Sequence, residues 1–204
     1  MRISKTRPRA EPPARERILD AAIKLFTKKP FDEISTPDIA KEAGVAHGLT
    51  FHYFGSKERL YEEVSQIVAN KLDQIHSAGT KIGTPDQRIR KFLKVHMKEV
   101  YRRRVDYVFH SRGGASPKVQ AIWEASRHNA IAMVLGFYGV TNHSSELEVA
   151  VRAWLGYFDE LVLAWLQGSI RDERAVVEMT MEIFPQAIRS AKFLGAKDAP
   201  EIPY

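Results

Sequence analysis

No cysteine occurs among the 204 residues, which excludes disulfide scaffolds, cysteine-rich zinc sites and thiol nucleophiles. Long apolar runs are missing as well. The longest stretch without Asp, Glu, Lys or Arg is 128–145, and its Asn129, Gly136, Gly139, Thr141, Asn142 and two serines make it too polar to span a bilayer. The first fifteen residues contain no apolar run, so no secretory signal is expected and the expected location is cytoplasmic. Strand signals are nearly absent, because no hairpin dipeptide sits between alternating runs. Catalytic signatures are missing too: there is no G-x-S-x-G, no H-E-x-x-H and no G-x-x-x-x-G-K. The seven histidines do not gather with carboxylates at ligand spacing, and Gly113-Gly114 is too short for a phosphate loop. No catalytic residue, metal or cofactor is therefore expected.

What is present is helical periodicity and an uneven charge. Residues 1–57 carry 11 Lys and Arg against 7 Asp and Glu, a balance of +4, and the remaining 147 carry 20 against 18, or +2. The excess positive charge at one end suits a polyanionic partner, although a solvated basic surface has the same composition. Residues 1–13 hold four basic residues and three prolines and are expected to be a disordered arm. Capping hydroxyls before prolines at Thr36-Pro37, Thr84-Pro85 and Ser116-Pro117 mark helix starts, Ser145-Glu146-Leu147-Glu148 reads as a capping box, and Ser56 and Asp172 are further caps. These signals predict an all-α chain of about nine helices at 14–28, 37–43, 47–53, 57–77, 85–104, 106–112, 117–138, 146–168 and 173–194. Residues 78–85 form a seam between a head and connecting helix (14–77) and a body (78–204).

In the head, Ile18, Ala22, Leu25 and Phe26 form one buried stripe. Residues 36–55 have the layout of a helix-turn-helix. Ile39 and Ala43 face inward, Ala40 leaves room for a crossing helix, and Gly44 stands where a sharp turn needs a positive φ. Val45 anchors the turn, and Phe51 and Phe54 are expected core contacts of the helix that follows. The N-terminal residues of that second helix lead into the major groove in such units.

These residues resemble the tetracycline-repressor (TetR) family of bacterial regulators. The resemblance rests on Thr36, Ile39-Ala40, Ala43-Gly44-Val45, Gly48, Phe51-His52-Tyr53-Phe54, Ser56-Lys57-Glu58 and Leu60, and covers residues 15–65. It implies a three-helix DNA-binding head on a helical bundle. It assigns Thr36, Tyr53 and Lys57 to phosphates, and Gly48, Leu49, Phe51 and His52 to the groove, with His47 beside them. Four departures blur the reading. Ala46 replaces a common capping Ser, His47 a common Lys or Arg, Thr50 an apolar residue, and Phe51 a frequent Tyr.

Residues 146–168 place Leu147, Val151, Trp154, Phe158, Leu161 and Trp165 on a seam of alternating spacing, within a helix that is apolar nearly all round. The last helix offers Val176, Met179 and Ile183, and Pro185 should bend or break it. The resemblance implies that these two helices pair with a second copy, so Leu147, Val151, Trp154, Phe158, Trp165, Val176, Met179 and Ile183 are the expected dimer interface. An ordinary intrachain core is the alternative. Apolar stripes at 85–104 and 117–138 serve equally as plain core or as a ligand pocket. The pocket reading names Phe92, His96, Trp123, Met133, Phe137 and Asp159. The expected protein is a homodimeric repressor on a palindromic double-stranded operator, released by a small apolar ligand. The alternatives are a DNA-binding regulator without such a ligand, acting as an activator or with a protein partner, and a helical enzyme or adaptor that retains the head.

Overall fold

Hydroxyl and carboxylate side chains set the helix starts. Ser35 caps the second helix, and its Oγ accepts from the Asp38 N–H while Asp38 accepts from the Ser35 N–H. Thr84 and Gln87 make the same reciprocal pair, and Ser116, Ser144 and Asp172 cap three more. Two caps fall one residue earlier than expected: Ser35 rather than Thr36, and Ser144 rather than Ser145. In the first case both residues carry a hydroxyl, and Thr36 already has helical backbone. Ser144 is further held by Asp198, which accepts from its N–H and its hydroxyl at 2.7 Å each.

The computed structural model describes residues 12–105, 107 and 116–202. Most of the expected arm and of the short helix at 106–112 lies outside them, as does Gly113-Gly114. Eight α-helices are described: α1 (Ala14–Phe26), α2 (Thr36–Ala43), α3 (Gly48–Phe54), α4 (Lys57–Gly79), α5 (Pro85–Arg102), α6 (Pro117–Gly136), α7 (Ser145–Leu166) and α8 (Glu173–Ser190). Short 3-10 turns occupy Phe31–Glu33 and Ala191–Leu194, and no strand occurs among the described residues. The all-α architecture and the helical head agree with the sequence reading. α8 continues through Pro185, although that residue lacks the N–H that would meet the Met181 carbonyl.

The chain divides into two compact units between Val64 and Ser65, inside α4. The head buries Ile18, Ala22 and Phe26 of α1 with Ile34, Ile39, Ala40, Phe54, Leu60 and Tyr61. Phe26, Phe31 and Tyr61 form an aromatic triangle with ring centroids 4.7–5.9 Å apart.

In the body, α7 and α8 pack extensively against one another. Trp154 is their anchor: it is 2% exposed, its ring meets Phe184 edge-on at 4.7 Å, and its indole N–H donates to the Thr180 carbonyl at 2.7 Å. The expected dimer seam is corrected here. Leu147, Val151, Trp154, Phe158 and Val176 are all buried inside their own chain and have no surface left for a partner. The 4-and-3 spacing marks the face of α7 that meets its own core, α8 included, because the same periodicity serves an intrachain pair. Trp165 is half-buried against Tyr101, with ring centroids 5.4 Å apart. Of the expected set, Met179 and Ile183 are exposed.

Because Trp154 combines aromatic burial with a satisfied hydrogen bond, Trp154→Ala should cost about 3–5 kcal/mol of body stability. Urea unfolding followed by circular dichroism checks this, and an unchanged midpoint with a weakened dimer would return Trp154 to an intersubunit seam.

Candidate functional site

α3 is a single short helix whose two faces differ sharply. It begins after Gly44, which takes the left-handed conformation at φ 63° and lets the chain reverse out of α2. The Val45 N–H closes the turn on the Ala40 carbonyl at 3.0 Å. No side chain caps α3, consistent with Ala46 in the place of a capping serine. Thr50 and Phe54, one turn apart, point into the head. The Thr50 hydroxyl is buried without a hydrogen-bond partner, a burden of about 1–3 kcal/mol where an apolar side chain would cost nothing.

The opposite face is open. His47, Gly48 and His52 are exposed, Leu49 is half-buried, and Tyr53 is 42% exposed with its ring edge-on to His52. Phe51 is 71% exposed, which corrects its expected place in the core. Position 51 lies one residue past Thr50, and 100° of helix rotation carries it from the inner face to the outer one. A Cβ added at Gly48 would meet nothing within 4 Å, so the backbone is open there to an approaching surface.

Thr36 is half-buried at the first turn of α2. Lys57 is not an extended phosphate-seeking chain. Its ammonium donates to the carbonyls of Phe31 and Ile34 at 3.0 Å each and lies 3.9 Å from the Phe31 ring centroid. Phe31 opens the 3-10 turn, where its carbonyl also accepts the Ile34 N–H, and Ile34 follows the turn in extended backbone, so the ammonium sits between two carbonyls and an aromatic face. Without DNA, the Lys57 ammonium is thus held by the head's own backbone.

The body holds a partly open cavity of about 350 Å³. α4 contributes Leu72 and His76, α5 contributes Phe92, His96 and Val100, α6 runs along it from Gln120 to Ala130, and α7 adds Leu155, Phe158 and Asp159. Four of the six expected pocket residues line it: Phe92, His96, Trp123 and Asp159. Met133 and Phe137 do not. They continue the α6 stripe, but Phe137 lies about 15 Å along the axis from Arg127 at 1.5 Å per residue. Met133 instead meets the Thr80 hydroxyl, and Phe137 lies under the Arg88 guanidinium at 4.2 Å. His76 was missed, although it lies one turn beyond Leu72 on α4. Arg127 and Tyr107 were missed because nothing local pairs them with Asp159, which lies 32 and 52 residues away.

Asp159 accepts from Arg127 at 2.5 Å and from the Tyr107 hydroxyl at 3.1 Å. Burial raises its carboxyl despite the pull of Arg127, and burial together with Asp159 raises the Tyr107 hydroxyl well above its ordinary value. His76 and His96 lie beside this network with ring centroids 5.4 Å apart. Burial pushes both down to about 3, helped by His96 and Arg103 at His76, and by Arg103 and Arg127 at His96. Both imidazoles are therefore neutral at pH 7.

Comparison with known proteins places the head first. Residues 18–64 match the family of bacterial regulatory proteins designated tetR. The transcriptional regulator BetI of Rhizobium meliloti is 29% identical over 149 residues, covering 70% of this chain and 66% of that protein. BetI of Brucella anthropi is 32% identical over 87 residues, which are 42% of this chain and 45% of its own length. The uncharacterised regulator YvdT of Bacillus subtilis is 41% identical over 61 residues, 29% of this chain and 31% of its own. The match thus spans less than half the length of the latter two. A tetR-family regulator of Streptomyces coelicolor has the same fold, with TM-score 0.77 and 24% identity over 89% of this chain and 82% of that one. The fatty acid degradation regulator FadR of Bacillus halodurans gives TM-score 0.65 and 19% identity over 86% and 96%.

Two outcomes follow from these geometries. Lys57→Ala should lower head stability by about 1–2 kcal/mol through loss of the two carbonyl bonds, with the salt dependence of DNA binding unchanged. A stable variant whose salt slope drops by roughly 1 would instead put Lys57 on a phosphate. The neutral histidines act on stability with acid. Unfolded, each titrates near 6.5, and folded near 3, so the unfolded chain binds more protons in between and stability falls as pH drops from about 6.5 towards 3. Each contributes a slope of about 1.4 kcal/mol per pH unit. Urea unfolding of His96→Leu at pH 5 and 7.5 should show a shallower loss than the parent, and identical losses would mean that the folded ring accepts a proton.

Proposed function

We propose a function on the premise that the chain belongs to the TetR family of bacterial regulatory proteins. It is a DNA-binding transcriptional regulator that acts as a homodimeric repressor and leaves its operator when a small ligand enters the body cavity. The observation that carries this reading is α3: a glycine-turned second helix whose outward face, from His47 to Tyr53, has no work to do inside the head. Side chains on such a helix reach base edges in the major groove. An exposed phenylalanine there recognises the methyl group of thymine, and Phe51 is the residue so placed. Gly48 offers backbone rather than side chain to the groove.

Dimerisation is supported by the outer face of α7 and α8. Val149 and Ala153 are exposed, Gly156 follows at the next turn with open space around it, and Met179 and Ile183 are exposed on α8. Small residues between larger apolar ones admit the close approach of a second helix pair. Two copies related by a twofold axis then read two like half-sites. Release requires that the ligand bind the DNA-free arrangement better than the DNA-bound one. α4 is one continuous helix whose first turns belong to the head and whose Leu72 and His76 line the cavity, so a ligand on those residues bears on a helix that the head shares.

The test is binding to genomic fragments by fluorescence anisotropy, with the parent and Phe51→Ala compared on the selected site and on random duplex. The variant should lose about 1–3 kcal/mol of specific affinity while random-duplex binding and thermal stability stay unchanged. Equal loss on both duplexes would remove Phe51 from base reading, and no selected fragment at all would remove the regulator. Sedimentation of the same parent protein should give a dimer at micromolar concentration.

A further inference from the structure

The polar groups around the body cavity fall into two sets. One set is satisfied by the protein itself. Asp159 takes Arg127 and Tyr107, the Ser126 hydroxyl donates to Asp73 at 2.6 Å, and Glu124 takes Arg152 at 2.5 Å. The other set is the pair of imidazoles. Neither nitrogen of His96 has a hydrogen-bond partner, nor has Nε2 of His76, and all three atoms are buried. A neutral imidazole always carries one N–H donor and one bare acceptor nitrogen, so the pair holds both kinds of capacity unused. The rings are nearly parallel, and contact with Phe92 and Phe158 keeps them within an aromatic wall. Both His96 nitrogens are buried beside the cavity and no hydrogen bond fixes its χ2, so a turn of the ring towards a bound group would break none.

Charge and size narrow what such a wall receives. Among the described residues, Arg103 and Arg127 line the cavity against Glu124 and Asp159, two charges of each sign, so these residues offer no net charge to an ionic ligand. An apolar cavity of about 150 Å³ accepts one benzene, and the 350 Å³ here accommodates roughly two fused rings. Phe92, Trp123 and Phe158 supply the flat apolar surface that rings pack against.

We propose that this cavity binds an uncharged aromatic compound of about two rings that bears a hydroxyl or carbonyl group, with that group hydrogen-bonded by His96 and His76. This rests on the reading of the cavity as a ligand site. Specificity comes from the buried nitrogens: a hydrocarbon of the same shape fills the space and leaves them unpaired, so the site discriminates by the polar group rather than by fit. Burial of both histidines as neutral groups favours the hydroxyl over a carboxylate of the same skeleton.

Equilibrium dialysis of the full chain against 2-naphthol, naphthalene and 2-naphthoate tests this. The parent should bind 2-naphthol about tenfold more tightly than either of the others. In His96→Leu the 2-naphthol affinity should fall to that of naphthalene while naphthalene binding is retained, and His96→Gln, which keeps a hydrogen-bonding side chain, should recover part of the preference. Retained naphthalene binding also reports that the variant is folded. Trp123→Ala should weaken 2-naphthol and naphthalene alike. A preference for 2-naphthol that survives in His96→Leu, or tightest binding of 2-naphthoate, overturns the assignment to neutral imidazoles and leaves the ligand-site reading standing. Failure of all three probes to bind the parent overturns both.

Discussion

A 22-residue helix that is apolar nearly all round must be covered nearly all round, and α7 imposes that constraint on everything near it. One face is closed by α8 through Trp154, Phe184 and the indole bond to Thr180. A second face, at Leu155, Phe158 and Asp159, forms one wall of the cavity and meets α5 and α6 across it. The third, at Val149, Ala153 and Gly156, is left outward. Each face has its own chemistry: a tightly packed seam, a wall with one ionised pair, and a stripe of small residues. The proposed dimer covers the third face for the same reason that α8 covers the first.

The fold was legible because its signals are local. Hydroxyl caps, prolines at first turns and the 3.6-residue period are written within a few residues of where they act, and the helix ends moved by at most two positions except in α8, which stops at Ser190 and passes into a 3-10 turn over the last four expected residues. Facing was less legible. The seam of Leu147, Val151, Trp154 and Phe158 was recognisable as a packed seam, but a heptad-like spacing does not distinguish a partner helix in the same chain from one in another copy. Phe51 looked like core because phenylalanine usually is, and its exposure is decided by helix phase, which Thr50 and Phe54 set. Lys57 was legible as a cation at a helix start. That two carbonyls of the preceding turn would capture it depends on a contact 23 to 26 residues away.

The cavity shows the same division. Phe92, His96 and Trp123 stood out as large groups on apolar stripes, and Asp159 as a lone acid among aromatics. The pairing that makes Asp159 tolerable could not be read, since Arg127 and Tyr107 come from distant segments. A buried carboxylate with an arginine and a tyrosine is internally balanced, and breaking it by removing one partner is strongly destabilising. The histidines carry no such balance, which separates the part of the wall that holds the body together from the part available to a visitor.

The reading helix raises a complementary question of where binding strength originates. α3 carries no Lys or Arg, and its outward residues are glycine, histidines, a tyrosine and a phenylalanine. Such a face discriminates through shape and methyl contacts, while most affinity for a duplex comes from neutralising phosphates. Without DNA, Lys57 is turned inward and Lys24 is paired with Glu42. Lys28, Lys29, Lys41 and Arg59 are exposed on the head, around rather than on α3. In the proposed complex the two tasks are therefore divided: flanking cations hold the backbone and set the salt dependence, and α3 contributes sequence preference with little charge of its own. Because an apolar contact is made as easily with one thymine as with another, the preference of a single head is modest, and two heads on one duplex multiply it.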